Sequence, residues 1–264
     1  MSGEVVLTRD GPLAIVELSH PGKYNAMSRA MWRQLAEVFG AIQADAQWRC
    51  VLLRGADGHF CSGGDIAEYP DFRFDRERLR DFHEDEVWGG LQAVIDCDVP
   101  IVAAIAGHCM GAGVEIASAC DIRVAADNAK FGAPIAKLGF PMAPREAALV
   151  AGALGEATAR EMLLEAAVLH APEMQRRGFL NATVPAAELM AHARSRADRI
   201  TALSPQAARL NKQTLRAIKW PAAQDRHAQA AMHSIVKGAY DYADSAEHRE
   251  GIAAFLGKRP ARFQ

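Results

Sequence analysis

The chain opens with two short β-type runs, Val5 to Thr8 and the apolar Leu13 to Leu18, held apart by Asp10-Gly11-Pro12. This pattern predicts a hairpin closed by a tight turn. The period then changes. Ser28 is a capping residue, and Met31, Leu35, Val38, Phe39 and Ile42 recur at helical spacing, so a helix with one buried face starts within Asn25 to Ser28. Cys50 to Leu53 and Ile101 to Ile105 are apolar on both sides and run into glycine, which reads as buried strands whose ends face a cleft. Between them, Glu68 to Glu86 carries four Arg and eight Asp or Glu around Phe72, Phe74 and Phe82, the pattern of a mobile or solvated helix. Val114 to Ala119 reads as helix, Ile122 to Ala125 as strand, and Ala147 to Leu154 and Ala157 to Leu164 as Ala/Leu-rich helices split by Gly155. From Glu188 onward the β-type runs stop. Ser204-Pro205 supplies an N-cap and a first helical residue, and Asp244 with Glu247 a capping box, so the tail is predicted to be an all-helical appendage.

This alternation of strand and helix, followed by helix alone, points to an α/β class. A length of 264 residues fits one large domain or a domain plus an appendage. Thirty Lys and Arg against thirty-two Asp and Glu leave a net charge of −2, with no long block of one sign, which argues against nucleic acid as a partner. The most apolar stretch, Val99 to Gly107, is interrupted by His108 and Glu115, well short of the ~18 residues a bilayer crossing needs. Met1 to Arg9 carries no secretion pattern. A soluble, cytoplasmic protein without membrane contact is therefore expected. The five cysteines, at positions 50, 61, 97, 109 and 120, form no CxxC pair and have no histidines at zinc spacing, so a reducing compartment and no metal site are expected.

The richest stretch for chemistry is Ile105-Ala-Gly-His-Cys-Met-Gly-Ala-Gly-Val-Glu115, where a buried strand passes through small residues into a helix starting near Gly111. A helix start carries unpaired N–H groups and partial positive charge, so Gly111 and Ala112 can donate to a developing oxyanion, with Glu115 one turn on. Glycines here equally serve close helix-to-strand packing, and the residues alone leave both readings open. The spacing of Gly107, Gly111 and Gly113 does not match a dinucleotide fingerprint. Gly58-His-Phe-Cys-Ser-Gly-Gly-Asp65 is a second flexible loop after a buried strand, able to turn an N–H toward the same cleft. Ser62 lacks the elbow of a serine hydrolase, and Cys61 and Cys109 read as packing residues.

Taken in order, His20-Pro-Gly-Lys-Tyr-Asn-Ala26, Phe60-Cys-Ser-Gly-Gly-Asp65, Gly107 to Asp121, Phe131-Gly-Ala-Pro134 with Leu138-Gly139, and Glu250-Gly-Ile-Ala-Ala-Phe-Leu-Gly-Lys-Arg-Pro260 resemble the motif series of the crotonase, or enoyl-CoA hydratase/isomerase, superfamily along nearly the whole chain. The resemblance implies a crotonase-like ββα spiral core, placed here at residues 1–195, and a C-terminal all-helical trimerisation region at 196–264, assembled as a homotrimer or homohexamer. It implies an acyl-CoA substrate, with coenzyme A entering as part of the thioester and no separate cofactor. The thioester carbonyl would be held by the N–H groups of Gly64 and Ala112. Lys23 to Ala26 and Ser62 to Ile66, which includes Asp65, match positions that bind coenzyme A, together with Gly111. Lys258 or Arg259 would reach a phosphate or else belong to a solvated tail. The implied acyl pocket is Met110, Pro134, Ile135, Leu138 and Gly139.

The family's hydratases use two glutamates. Glu115 matches the first, but Ile135 stands where the second is expected, and losing one acid/base group costs about 10² to 10⁴ in rate. Glu146 and the acids of 68–86 are spare carboxylates, although surface acids are mostly solvated. The leading expectation is a hydratase-like lyase with Glu115 as its acid/base. The alternatives are an isomerase, decarboxylase or C–C lyase on another acyl-CoA, and an acyl-CoA binder without catalysis.

Overall fold

The computed structural model describes residues 2–219 together with Ala246, Glu247, Glu250, Ala254, Gly257, Arg259, Ala261 and Arg262. The expected hairpin is present: β1 (Glu4–Asp10) pairs antiparallel with β2 (Leu13–Ser19), and Asp10 faces Leu13 across a two-residue turn. Helix α1 (Arg29–Ala44) begins where Ser28 Oγ accepts the Met31 N–H at 3.2 Å, and it buries Met31, Trp32, Leu35, Phe39 and Ile42. There follow β3 (Cys50–Gly55), α2 (Arg76–Asp81), α3 (Trp88–Asp96), β4 (Ile101–Ile105), β5 (His108–Met110), α4 (Ala112–Ala119), β6 (Ile122–Ala126) and β7 (Lys130–Gly132). The described chain continues through α5 (Pro144–Leu154), α6 (Glu156–Leu164), β8 (Val168–His170), α7 (Ala171–Arg176), β9 (Ala182–Val184), α8 (Leu189–Thr201) and α9 (Pro205–Lys219).

The main sheet has the order β1-β2-β3-β4-β6-β9 and is parallel from β2 outward. A second sheet, β5-β7-β8, is joined by an isolated parallel bridge between Cys61 and Cys109. Each circuit therefore runs from a main-sheet strand to a short crossing segment and on to a helix: β3, Cys61 and α3; β4, β5 and α4; β6, β7 and α5. This is the expected ββα spiral of an α/β protein.

Both faces of the main sheet are buried, which explains why its strands are apolar throughout rather than alternating. Val51, Leu53, Ile101, Ala103 and Ile105 face the large core with α1, α3 and α4. Cys50, Leu52, Val102, Ala104, Val124 and Ala126 face a smaller core closed by Leu189, Ala193 and Ala197 of α8. The boundary placed at residue 195 thus falls within a helix that covers the sheet's second face. Ser204 caps α9 as expected, with its Oγ accepting the Ala207 N–H at 3.0 Å. That helix is anchored by Lys212, whose Nζ lies 2.7 Å from Asp121 and 3.0 Å from the Val99 carbonyl. Asp244 lies outside the described residues. Among the described residues no helix is long and apolar enough to cross a membrane.

One sequence expectation is corrected. The charged segment 68–86 is not a single solvated helix: a 3₁₀ helix (Ile66–Asp71), α2 and a π-helix (Phe82–Val87) follow one another. Phe72 and Phe82 are buried and only Phe74 stands out in solvent. Three helical pitches in succession leave no common apolar stripe, but the rings still pack.

The loop before α1 is held by a residue whose role the motif alone does not reveal. Asn25 is 2% exposed with φ of 61°, a left-handed conformation that asparagine tolerates better than most residues. Its Oδ1 accepts the His20 N–H at 3.0 Å, and its Nδ2 donates to the Ala56 and His59 carbonyls at 2.8 Å each. Replacement by Asn25→Gly keeps the backbone free to turn but removes three buried hydrogen bonds, with an expected loss of about 3 kcal/mol. Asn25→Ala adds roughly 1–2 kcal/mol for the left-handed backbone. Urea unfolding should show both as a lowered midpoint at unchanged slope, in that order of severity.

Candidate active site

Two turns meet at the ends of β3 and β4. Cys61 N–H donates to the His108 carbonyl at 2.9 Å and Met110 N–H to the Cys61 carbonyl at 2.9 Å, which fastens the turns together. One step further, Met27 N–H donates to the Gly63 carbonyl and Asp65 N–H to the Met27 carbonyl, both at 2.8 Å. In a parallel bridge the residue between such bonds turns its own amide the other way, so Gly64 N–H points away from Met27 and has no backbone acceptor among the described residues. On the second turn, Gly111 adopts φ of 48° and redirects the chain from β5 into α4. Its N–H is spent on the Gly132 carbonyl at 2.8 Å. Of the two donors the sequence offered there, Gly111 is therefore committed to structure. Ala112, the first helical residue, keeps an N–H outside the helical ladder. Gly113 accounts for the packing alternative: a Cβ there would lie 2.6 Å from the Cys61 carbonyl oxygen.

Gly64, Ala112 and Glu115 line one cavity of about 220 Å³ together with Met110, Pro134, Ile135 and Leu138. Gly139 ends the Pro134–Leu138 3₁₀ turn in a left-handed conformation and is not part of the wall. The charged segment, expected from sequence to line the acyl pocket only as a whole, contributes Tyr69, Arg73, Phe82 and His83, and Phe140 to Ala143 after the turn also line the cavity. Their only signal was an aromatic and charged composition without period.

Glu115 projects into this cavity from the first turn of α4, and its carboxyl has no hydrogen bond or ion pair among the described residues. Burial, and secondarily the negative charge of Glu146, push its pKa up to about 8. At neutral pH it is mostly a neutral acid, able to give a proton. Glu146, grouped from sequence with the solvated acids, is 2% exposed in the first turn of α5. Its Oε1 lies 3.0 Å from His83 Nδ1. A carboxylate only accepts, so the shared hydrogen belongs to Nδ1, and Nε2 is the nitrogen left for other partners. Ile135 forms apolar wall, as its identity requires.

Of the residues expected to bind coenzyme A, Ser62, Gly64, Ile66 and Gly111 line the cavity, and Lys23, Ala26 and Asp65 do not. Lys23 Nζ pairs with Asp65 at 2.6 Å, while Asp65 also caps the Ile66–Asp71 turn through the Ala67 N–H. Ser62 Oγ donates to the Lys23 carbonyl at 2.8 Å, which engages the hydroxyl in structure. Ala26 is buried, its carbonyl 2.7 Å from His20 Nδ1, and Ile66 is 52% exposed at the cavity edge. Lys258 lies outside the described residues, and Arg259 pairs with both oxygens of Glu250 at 2.7 and 2.8 Å. Burial pushes the Cys61 thiol up to about 12 and Cys109 well above the ordinary range, which fits packing rather than nucleophilic roles.

The family described as enoyl-CoA hydratase/isomerase matches residues 8–264. A probable enoyl-CoA hydratase of Mycobacterium tuberculosis (strain CDC 1551 / Oshkosh) is 31% identical over 261 residues, covering 98% of this chain and 97% of that protein. A short-chain-enoyl-CoA hydratase of Clostridium acetobutylicum is 31% identical over 212 residues, or 80% of each chain. Among solved structures, an enoyl-CoA hydratase/carnithine racemase from Magnetospirillum magneticum superposes with a TM-score of 0.91 at 34% identity, covering 98% of this chain and 95% of that one.

Two outcomes follow from this geometry. Gly113→Ala forces Cys61 and α4 apart and should destabilise the fold by about 1–3 kcal/mol, with a loss of ligand affinity from the displaced donors; calorimetric unfolding and titration with an acyl-CoA read both effects. Glu115 has a folded pKa near 8 against an ordinary 4.5, so the stability it contributes is complete below 4.5 and is lost as pH rises toward 8. Glu115→Gln lacks that loss. The unfolding midpoint of the variant should therefore gain on wild type progressively across that interval, and a constant difference would refute the assignment.

Proposed function

The chain belongs to the enoyl-CoA hydratase/isomerase family, and from that premise we propose that it is a hydratase-type enzyme acting on enoyl-CoA thioesters. The carrying observation is that Glu115, a carboxyl whose pKa burial raises to about 8, lines one cavity with Gly64 and Ala112. In this reading the two N–H groups hold the thioester oxygen, and their advantage grows as that oxygen gains charge. Donors of this kind are each worth about 2.7–4 kcal/mol in a transition state.

Water adds to the β-carbon, its proton passes to His83 Nε2, and the enolate takes the Glu115 proton at the α-carbon. One water is consumed, and the two groups return to their starting states by exchange with solvent. His83, backed by Glu146, thus fills the role left empty by Ile135, with the carboxylate stabilising the imidazolium that forms. A second reading rests on Glu115 acting alone as a proton shuttle. Isomerisation moves a proton between two carbons and needs a single acid/base group, which Glu115 supplies. The apolar residues Leu210, Leu215 and Ile218, exposed on α9, support assembly into a homotrimer or homohexamer.

With crotonyl-CoA and longer enoyl-CoAs, Glu115→Gln should lower kcat by about 10² to 10⁴, and His83→Gln should lower hydration by a similar factor with little change in KM. Product mass discriminates the readings: hydration adds one water, whereas isomerisation leaves mass unchanged and is insensitive to His83. Equal rates for wild type and Glu115→Gln would remove the proposed mechanism. Ile135→Glu in the His83→Gln background is expected to recover part of the hydration.

A further inference from the structure

The acyl pocket contains a cation that no carboxylate among the described residues neutralises. Arg73 lines the cavity, and its Nη1 is buried without a hydrogen-bond partner. No carboxylate among the described residues pairs with it, although it stands in the most acidic segment of the chain. The acids around it are turned elsewhere: Glu86 holds Arg29 and Arg33, Glu84 holds Arg145, and Asp81 holds Arg80. The guanidinium instead lies 3.5 Å from the centroid of the Phe140 ring and 4.6 Å from that of Tyr69. Aromatic faces attract a cation and fix its plane, but they leave its in-plane N–H donors unused.

Arg73 as a residue is half-buried, but leaving its Nη1 donors buried and unpaired is costly, and arginine cannot escape by losing its proton. The pocket therefore favours an occupant that brings the missing negative charge. Tyr69 links this cation to the reacting end: its ring carries Arg73, and its hydroxyl occupies the space that a Cβ at Gly64 would take. A planar group with two acceptor oxygens matches a planar fork of donors best.

We propose that Arg73, clamped by Tyr69 and Phe140, is an anion subsite in the acyl pocket, and that the favoured ligands are acyl-CoA thioesters whose acyl tail ends in a carboxylate. This rests on the acyl-CoA reading above and specifies its substrate class.

The test is titration calorimetry with saturated thioesters, which cannot be hydrated: glutaryl-, adipyl- and suberyl-CoA against pentanoyl-, hexanoyl- and octanoyl-CoA. The dicarboxylic ligand of best-fitting length should bind wild type at least about tenfold more tightly than its methyl-ended counterpart. Its carboxamide-ended analogue, of the same shape but neutral, should lose that advantage in wild type, which tests the charge without any substitution. In Arg73→Gln the ratio should fall to about one, and in Arg73→Lys part of it should remain. Equal wild-type affinities for the two series, or a preference that survives Arg73→Gln, would overturn the subsite while leaving the acyl-CoA reading intact. Failure of every thioester to bind would overturn both.

Discussion

Everything at the site depends on how two chain segments cross. A parallel bridge uses the amides on either side of a residue and turns that residue's own amide outward, and a helix leaves its first amides without intrahelical partners. Docking Gly64 between Met27-bonded neighbours and starting α4 at Ala112 therefore produce two unused donors as by-products of ordinary pairing. The Cys61–Cys109 bridge holds the two segments in register, and Gly113 permits the approach because any side chain there would strike the Cys61 carbonyl. The donors are rigid because the buried strands β3 and β4 hold the two turns at their ends.

Burial explains which parts of this could be read in advance. The hairpin, α1, the two apolar strands and the pair of helices split at Gly155 all show their period because one environment acts on each side of the element. The 68–86 segment hides its packing because successive 3₁₀, α and π turns rotate Tyr69, Phe72, Arg73 and Phe82 inward at irregular intervals while most of the charges stay outside. Composition then reads as solvated helix. Glu146 was misplaced for a related reason: acids are mostly surface residues, and its burial depends on His83, 63 positions away. The use of the Gly111 amide by Gly132 is likewise a long-range pairing without local trace. Gly64 and Ala112 were legible through the ordered series of family motifs; neither glycine content nor spacing alone separates a donor from a packing residue.

The electrostatics of the cavity follow from the same arrangement. Glu115 is an acid at neutral pH because it is buried, and Glu146 reinforces that state from behind His83. A carboxylate at position 135 would place a further negative charge in this cavity, where like charges share protons rather than ionise together. Isoleucine removes that competition. The proposed division of labour, one neutral acid and one imidazole backed by a carboxylate, gives a donor and an acceptor whose protonation states are set apart by their surroundings.

The placement of these groups separates what is general from what is particular. The Gly64 and Ala112 amides and Glu115 belong to turns and a helix at the ends of the main sheet, where a shift of any one would disturb β3, β4 and α4 together. Tyr69, Arg73, Phe82 and His83 all come from a single excursion between β3 and α3, whose last turn is π-helical, a form that recurs at functional sites. That excursion crosses the cavity without supplying a strand to either sheet, so outside its core residues Phe72, Phe82 and Val87 its sequence can change without breaking strand pairing. In the reading proposed here it carries both the second proton-handling group and the tail-binding cation. Substrate class and reaction type can then vary together through one segment while the thioester cradle stays as it is. A pocket with isoleucine at position 135 and a half-buried arginine at position 73 is the outcome such an arrangement permits.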